Sequence, residues 1–155
     1  MIKIDDILSA LKFACTTCYF LVAAQGANYV VLRFNRSVSL MSPSQFADLR
    51  RLTDIAIETP LKVLYLSTVI LMALWLLLAY PPKGSSSYLL FVLAFILIVA
   101  DLVMAIKISI PLNKLILNGN TNPIKYQLDW IKWISIRGYF SVTGMVILLL
   151  DRIWR

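Results

Sequence analysis

The sequence predicts an all-α fold, a four-helix transmembrane bundle, on three observations. Four apolar runs lie at about 12–32, 61–80, 88–110 and 131–150, each near the roughly 20 residues that one helix needs to cross a bilayer. Hydrophobic residues make up 60% of the 155, against about half in a soluble domain. The 15 lysines and arginines lie mostly near the ends of those runs, where membrane proteins place them. The chain therefore reads as a single integral membrane domain over residues 1–155. Its backbone polar groups must pair within helices, because lipid offers them no partners.

A net charge of +7 in a soluble chain would point to nucleic acid. Here no basic stripe or aromatic stacking face stands apart from the membrane, so nucleic acid is excluded as a partner. The first apolar run ends without a small-residue cleavage site, which predicts a retained helix rather than a signal peptide. There is no histidine, which removes the commonest general base and the commonest metal ligand together. No phosphate-binding glycine loop, nucleophile elbow or metal-ligand cluster is present, and no cofactor is expected.

Residues 1–12 form a short amphipathic start. The first span follows, interrupted by Thr16, Thr17, Gln25, Gly26 and Asn28; small and polar residues in a span face other helices. After the basic segment Arg33-Phe34-Asn35-Arg36, Ser42-Pro43-Ser44-Gln45 reads as a helix start, with Ser42 as N-cap, Pro43 at the first helical position and Gln45 completing a capping box. The helix behind it, about 43–58, is amphipathic. Phe46, Leu49, Leu52, Ala56 and Ile57 share one stripe, and Asp48, Arg50, Arg51 and Asp54 point away. It is too polar to span and is expected to lie on the membrane surface or on the bundle.

Thr59-Pro60 repeats the cap-then-proline signal and is expected to open the second span. Pro81-Pro82 stops that span, and Lys83 to Ser87 is a turn. The third span carries only Asp101 and Lys107 as charges and is expected to continue past Pro111, with a kink, toward Leu117. Asn122-Pro123 opens an interfacial helix, and Trp130, Lys132 and Trp133 mark the membrane boundary of the fourth span.

Four spans put both termini on one side. That side carries five cations (Lys3, Lys12, Lys83, Arg152 and Arg155), and the loops between spans one and two and between spans three and four carry the other ten. The positive-inside rule then predicts a multi-pass protein of the cell (inner) membrane with those two loops cytoplasmic and both termini outside.

Depth singles out a candidate site. At 1.5 Å per residue, measured from the face of those two loops, Asn28 and Tyr65 lie roughly 6 Å deep, Arg137 roughly 9 Å, Gln25 and Thr68 roughly 10 Å, and Asp101 roughly 14 Å. All four spans thus put hydrogen-bonding groups in the same half of the bilayer, while the other half is apolar apart from Thr16 and Thr17. An ionised side chain there costs about 2.5–3.5 kcal/mol on insertion scales and seeks a partner. Asp101 and Arg137 are expected to pair, directly or through Gln25 and Asn28, and to form a small polar pocket under the 43–58 helix. Three readings fit this pattern: interhelical glue, a ligand or substrate site, and ion conduction.

Two further patterns have plainer readings. Cys15-Thr16-Thr17-Cys18 has CxxC spacing, but inside a span the helix would have to distort to close a disulfide, so free thiols are expected. Asn35-Arg36-Ser37 matches a glycosylation acceptor only by accident on a cytoplasmic face.

The stretch Pro111-Leu112-Asn113, the tryptophans Trp130 and Trp133 followed by Arg137, and a polar helix from Gln45 leading to Pro60 resemble the anthrone oxygenase-like family of small four-span membrane proteins. The resemblance covers most of the chain in layout. It implies a four-helix membrane bundle and cofactor-free oxidation of anthrones to anthraquinones. Many members have Asn-His between the last Trp and the Arg, where this chain has Ile134 and Ser135. That departure leaves Asp101, Tyr65 and Arg137 as proton or oxyanion handlers.

The expected function is binding of an apolar, quinone-like or aromatic small molecule in the polar pocket. Asp101 and Arg137 are the candidate catalytic pair, and Gln25, Asn28, Tyr65, Thr68, Asn113 and Trp133 the candidate ligand-binding residues. The alternative is an accessory or structural subunit of a larger membrane complex, or a homo-oligomer, whose polar spans meet a partner.

Overall fold

In the computed structural model, which describes residues 3–80, 86–118 and 122–153, the described residues form helices and short connections, with no strand among them. The fold is all-α, and four of its helical segments are long and apolar enough to cross a membrane. The predicted turn at 83–87 lies largely outside the described residues.

Helix α1 spans Ile4–Val30, so the amphipathic start and the first span are one helix. Asp5 and Asp6 in its first turn complement the helix dipole. Arg33, at φ 55°, takes the left-handed conformation and turns the chain into α2, Phe34–Ser39, a short helix that the basic composition of this segment conceals. Helix α3 opens as expected: the Gln45 N–H donates to Ser42 Oγ at 3.3 Å, and the Ser42 N–H donates to Gln45 Oε1 at 3.0 Å.

Helix α3 runs unbroken over Pro43–Leu78, with Pro60 inside it. This corrects the expected break at Thr59-Pro60 and the expected separate surface helix at 43–58. An interior proline costs about 3 kcal/mol in water. Beside a bilayer, breaking the helix would leave several backbone groups unpaired, each costing more than the proline's one lost bond.

Helix α4, Ser86–Met104, passes through a π-helical turn, Ala105–Ser109, into α5, Ile110–Leu117. The Ile110 N–H donates to the Ala105 carbonyl, five residues back. The wide turn lies immediately before Pro111, whose ring would collide with the Lys107 carbonyl in a regular helix. Helix α6 runs over Pro123–Ile153. Asn122 caps it, accepting from the Lys125 N–H at 3.3 Å, and the expected interfacial segment and fourth span are continuous.

The helices approach closely where side chains are small. A Cβ added at Gly26 of α1 would lie 2.3 Å from Ser141 Oγ and 3.0 Å from Gly138 Cα of α6. A Cβ at Gly144 would collide with the Tyr19 ring. Two apolar cores result. The larger, with Tyr19, Val22, Met72, Phe91, Ile98 and Leu148, lies toward the termini. The smaller, with Val38, Phe46, Leu112, Ile116 and Trp130, lies under the loops. Gln127 ties the loop end together, donating through Nε2 to the Val38 carbonyl at 2.8 Å and the Met41 carbonyl at 3.1 Å. Outward faces carry Leu66, Leu77, Leu93, Ile96 and Val103, all exposed. An apolar exterior of this kind belongs against lipid, and the chain is a multi-pass membrane protein.

Candidate functional site

Between the two cores sits a layer of hydrogen-bonded charge. Along α6, Arg137 falls between Trp130 of one core and Met145 of the other; on α4, Asp101 follows Ile98 by three residues. Asp101 is 1% exposed and Arg137 8%. The Arg137 Nε donates to Asp101 Oδ1 at 2.6 Å. Tyr65 of α3 donates its hydroxyl to the other carboxylate oxygen at 2.5 Å and accepts from Arg137 Nη2 at 3.2 Å. Arg137 Nη1 donates to Ser109 Oγ in the π turn at 3.1 Å. Guanidinium, carboxylate and phenol form a closed triangle, and both carboxylate oxygens are engaged. A guanidinium has five N–H groups. Three serve these bonds, and the other two have no partner among the described residues.

A cleft of about 480 Å³ opens beside this layer, between α3 on one side and the π turn and α5 on the other. Its floor is Gln25 and Tyr29 of α1 with Trp130, Ile134 and Arg137 of α6. Leu61, Leu66, Leu102, Ile106 and Ile110 make its walls apolar, and its lip carries Asp54, Glu58, Lys62 and Lys114. Leu66 and Ile106 on the rim are about half exposed, so the cleft opens sideways, toward the space that lipid fills. A second hollow of about 420 Å³, between Pro43, Phe46, Leu115 and Tyr126, has no charged lining residue.

The predicted residues divide into three groups. Tyr65, Arg137, Gln25 and Asn113 line the cleft. Asp101 does not; it lies behind Arg137 and Tyr65 and reaches the cleft only through them. Asn28, Thr68 and Trp133 are not at the cleft. Asn28 is exposed, and Tyr29, four residues from Gln25, takes the place expected of it. Thr68 is buried but back-bonds its own helix at the Leu64 carbonyl, 2.7 Å away. Trp133 packs against the loop-end core under Lys132. The depth estimates also shift: Tyr65, Asp101 and Arg137 touch, so they share one level, because the ends of the apolar runs do not define one plane.

Among the cleft residues not foreseen are Ser109, Tyr29, Trp130 and Arg50. Arg50 was expected to point away with the polar face of its helix. Instead it is 7% exposed, its guanidinium stacks 5.0 Å over the Trp130 ring, and it pairs with Asp54 one turn on. Of the apolar stripe on this helix, Phe46 is buried and Leu52 is exposed. The Trp130 indole donates to Asn113 Oδ1 at 3.0 Å, which fixes both side chains beside the cleft.

The opposite end of the bundle is less apolar than expected. Lys12 lies 2.5 Å from Asp151 and 3.1 Å from Ser87, with its ammonium 5.2 Å above the Trp75 ring. This ion pair joins the start of α1 to the end of α6. Cys15 and Cys18 are free thiols.

Comparison of the chain with family models, curated proteins and solved structures returns no match.

Proposed function

We propose that this protein binds an elongated apolar molecule with a polar oxygen, quinone-like or aromatic in type, in the lateral cleft between α3 and α5. The observation that carries this reading is Arg137: a buried guanidinium at the cleft floor with two N–H donors left over after its bonds to Asp101, Ser109 and Tyr65. A carbonyl or phenolate oxygen is the acceptor such donors suit. Apolar walls with a few convergent polar groups are the usual character of a small-molecule site, and the volume falls in the usual range of roughly 300–1,000 Å³.

Binding is favoured over catalysis on the residues present. Anthrone oxygenase-like oxidation would need a base facing the substrate. Asp101 already holds Arg137 and Tyr65, while Asp54 and Glu58 hold Arg50 and Lys62. Ser135, at the family's histidine position, accepts from Asn35 Nδ2 at 3.1 Å and is absent from the cleft lining. In a catalytic version of the reading, Tyr65 would exchange the proton, backed by Asp101.

The reading includes a cell-membrane location with the two polar loops cytoplasmic. Setting aside Arg50, Arg137 and Lys12, which are held in largely buried pairs, eight cations remain on the loop side against four on the terminus side, and the rule favours the richer side as cytoplasmic.

The test is binding of menadione, a neutral aromatic quinone, read by tryptophan quenching in neutral detergent, since Trp130 lines the cleft. Wild type should quench saturably. Ala105→Phe, which fills the cleft from the π turn, should weaken binding at least about tenfold with the thermal transition kept. Non-saturable quenching, or no effect of Ala105→Phe, overturns the site. A stoichiometric protein co-purifying over the cleft would favour the subunit role instead.

A further inference from the structure

We propose that the occupant of the cleft is a singly charged anionic amphiphile whose oxyanion head is held by Arg50. This rests on the binding reading above and adds the charge and orientation of the ligand.

The first ground is an orphaned donor. Arg50 Nε is buried and has no hydrogen-bond partner among the described residues, although its guanidinium lines the cleft. Buried side-chain donors are satisfied in the large majority of cases, and those of a cation most of all. The pairing with Asp54 runs through Nη2, and Nη1 has no hydrogen-bond partner among the described residues. The guanidinium carbon lies 5.0 Å from the centre of the Trp130 ring. The Trp130 indole N–H occupies the side-chain oxygen of Asn113 at 3.0 Å, so the amide NH2 of this cleft-lining residue remains as a second donor. A planar oxyanion is the acceptor that a free guanidinium N–H and an amide NH2 suit.

The second ground is charge. Four cations line the cleft, Arg50, Lys62, Lys114 and Arg137, and two carboxylates, Asp54 and Glu58. Asp101 stands directly behind Arg137. Each carboxylate has its own cation: Asp54 with Arg50, Glu58 with Lys62, and Asp101 with Arg137. Four cations against three carboxylates leave one positive charge, and Lys114 forms no ion pair among the described residues. A monoanion closes this balance.

The third ground is placement. Arg50 lies 15 residues before Tyr65 on one continuous helix, about 22 Å along its axis. The charged end of the cleft is therefore at the loop end of the bundle. The apolar end, at Leu66 and Ile106, faces hydrocarbon. An amphiphile in the adjoining leaflet has the same polarity, head at the interface and body toward the bilayer centre.

The probes are 11-bromoundecanoate, which quenches tryptophan on binding, and its neutral methyl ester, titrated onto the full chain in dodecylmaltoside. In wild type the acid should bind at least about tenfold more tightly than the ester. Arg50→Gln should bring the two within about twofold by weakening the acid alone. Lys114→Gln, at an exposed position, should reduce the preference severalfold and serves if Arg50→Gln does not fold. Equal affinities in wild type, or a preference unchanged in either folded variant, overturn the anionic head. In that case a saturable ester signal leaves the cleft reading standing, whereas no saturable signal from either probe removes both. Competition by lysophosphatidylglycerol assigns the head to a phosphodiester, and its failure to compete assigns it to a carboxylate.

Discussion

At the scale of single residues, the bundle is organised by a charge pair that neither partner can leave cheaply. Taking two charges from water costs several kcal/mol per ion even after relaxation, and their attraction repays that only when remaining hydrogen-bond capacity is met. Here Tyr65 and Ser109 meet much of it. Arg137→Leu removes the cation and strands a carboxylate that is 1% exposed. It should lower the unfolding free energy by about 3–5 kcal/mol, measured by denaturant titration of the detergent-solubilised protein. Asp101→Leu combined with Arg137→Leu should recover most of that loss, since no buried charge then remains. A single variant as stable as wild type would mean the pair is solvated. Asp101 and Arg137 were legible in the sequence because a charge in an apolar run has few places to go. Their depth also pointed to Tyr65. Depth says nothing about rotation around a helix, however, so Asn28 and Thr68 were counted with Gln25 though they do not face the cleft. Arg50 was lost for a related reason: its long stem lets a cation lie on Trp130 while its neighbours face outward, which no polarity stripe reveals.

At the scale of elements, proline proved ambiguous and glycine decisive. Ser42-Pro43 and Asn122-Pro123 start helices because the residue before proline offers a side-chain acceptor to the N–H groups of the first turn. Thr59-Pro60 has the same letters, but the preceding residues already form helix, so the chain continues. Pro111 is accommodated by the π turn, and that turn places Ser109 against Arg137. Irregularity within a span is tolerated where it lines a cavity, and here it forms one wall of the cleft. The glycines set the distance between α1 and α6. Gly138→Leu would bring a Cβ to 2.9 Å from both the Gly26 carbonyl oxygen and Val30 Cγ1, where a backbone atom cannot yield as a side chain can. Overpacking of this kind costs about 1–3 kcal/mol. The variant should unfold at lower denaturant, whereas Gly138→Ala, which lacks the isopropyl group beyond Cβ, should lose less. Equal stability of the two would show that the helices are free to separate.

At the scale of the whole molecule, the cations left available at the two ends of the bundle bear on the orientation proposed above. The terminus end internalises cations: Lys12 is bonded to Asp151 and Ser87 and covered by Trp75, so it is poorly available to hold a loop in the cytoplasm. At the loop end Arg50 and Arg137 are likewise held in ion pairs, while Arg33, Arg36 and Arg51 are exposed, as are Lys125 and Lys132. Setting those three aside, the loop side keeps eight cations against four, the same two-to-one excess as the full count. It predicts that Arg36→Cys, in a background with Cys15→Ala and Cys18→Ala, is protected from a membrane-impermeant maleimide in intact cells and labelled after permeabilisation. Lys3→Cys, at the exposed start of α1, should label without permeabilisation. The contact between Lys12 and Asp151 puts the first and last spans' outer ends together, so any orientation applies to both termini at once. The reverse labelling pattern would place the cleft's charged end outside the cytoplasm, and its ligand would then enter from the outer leaflet.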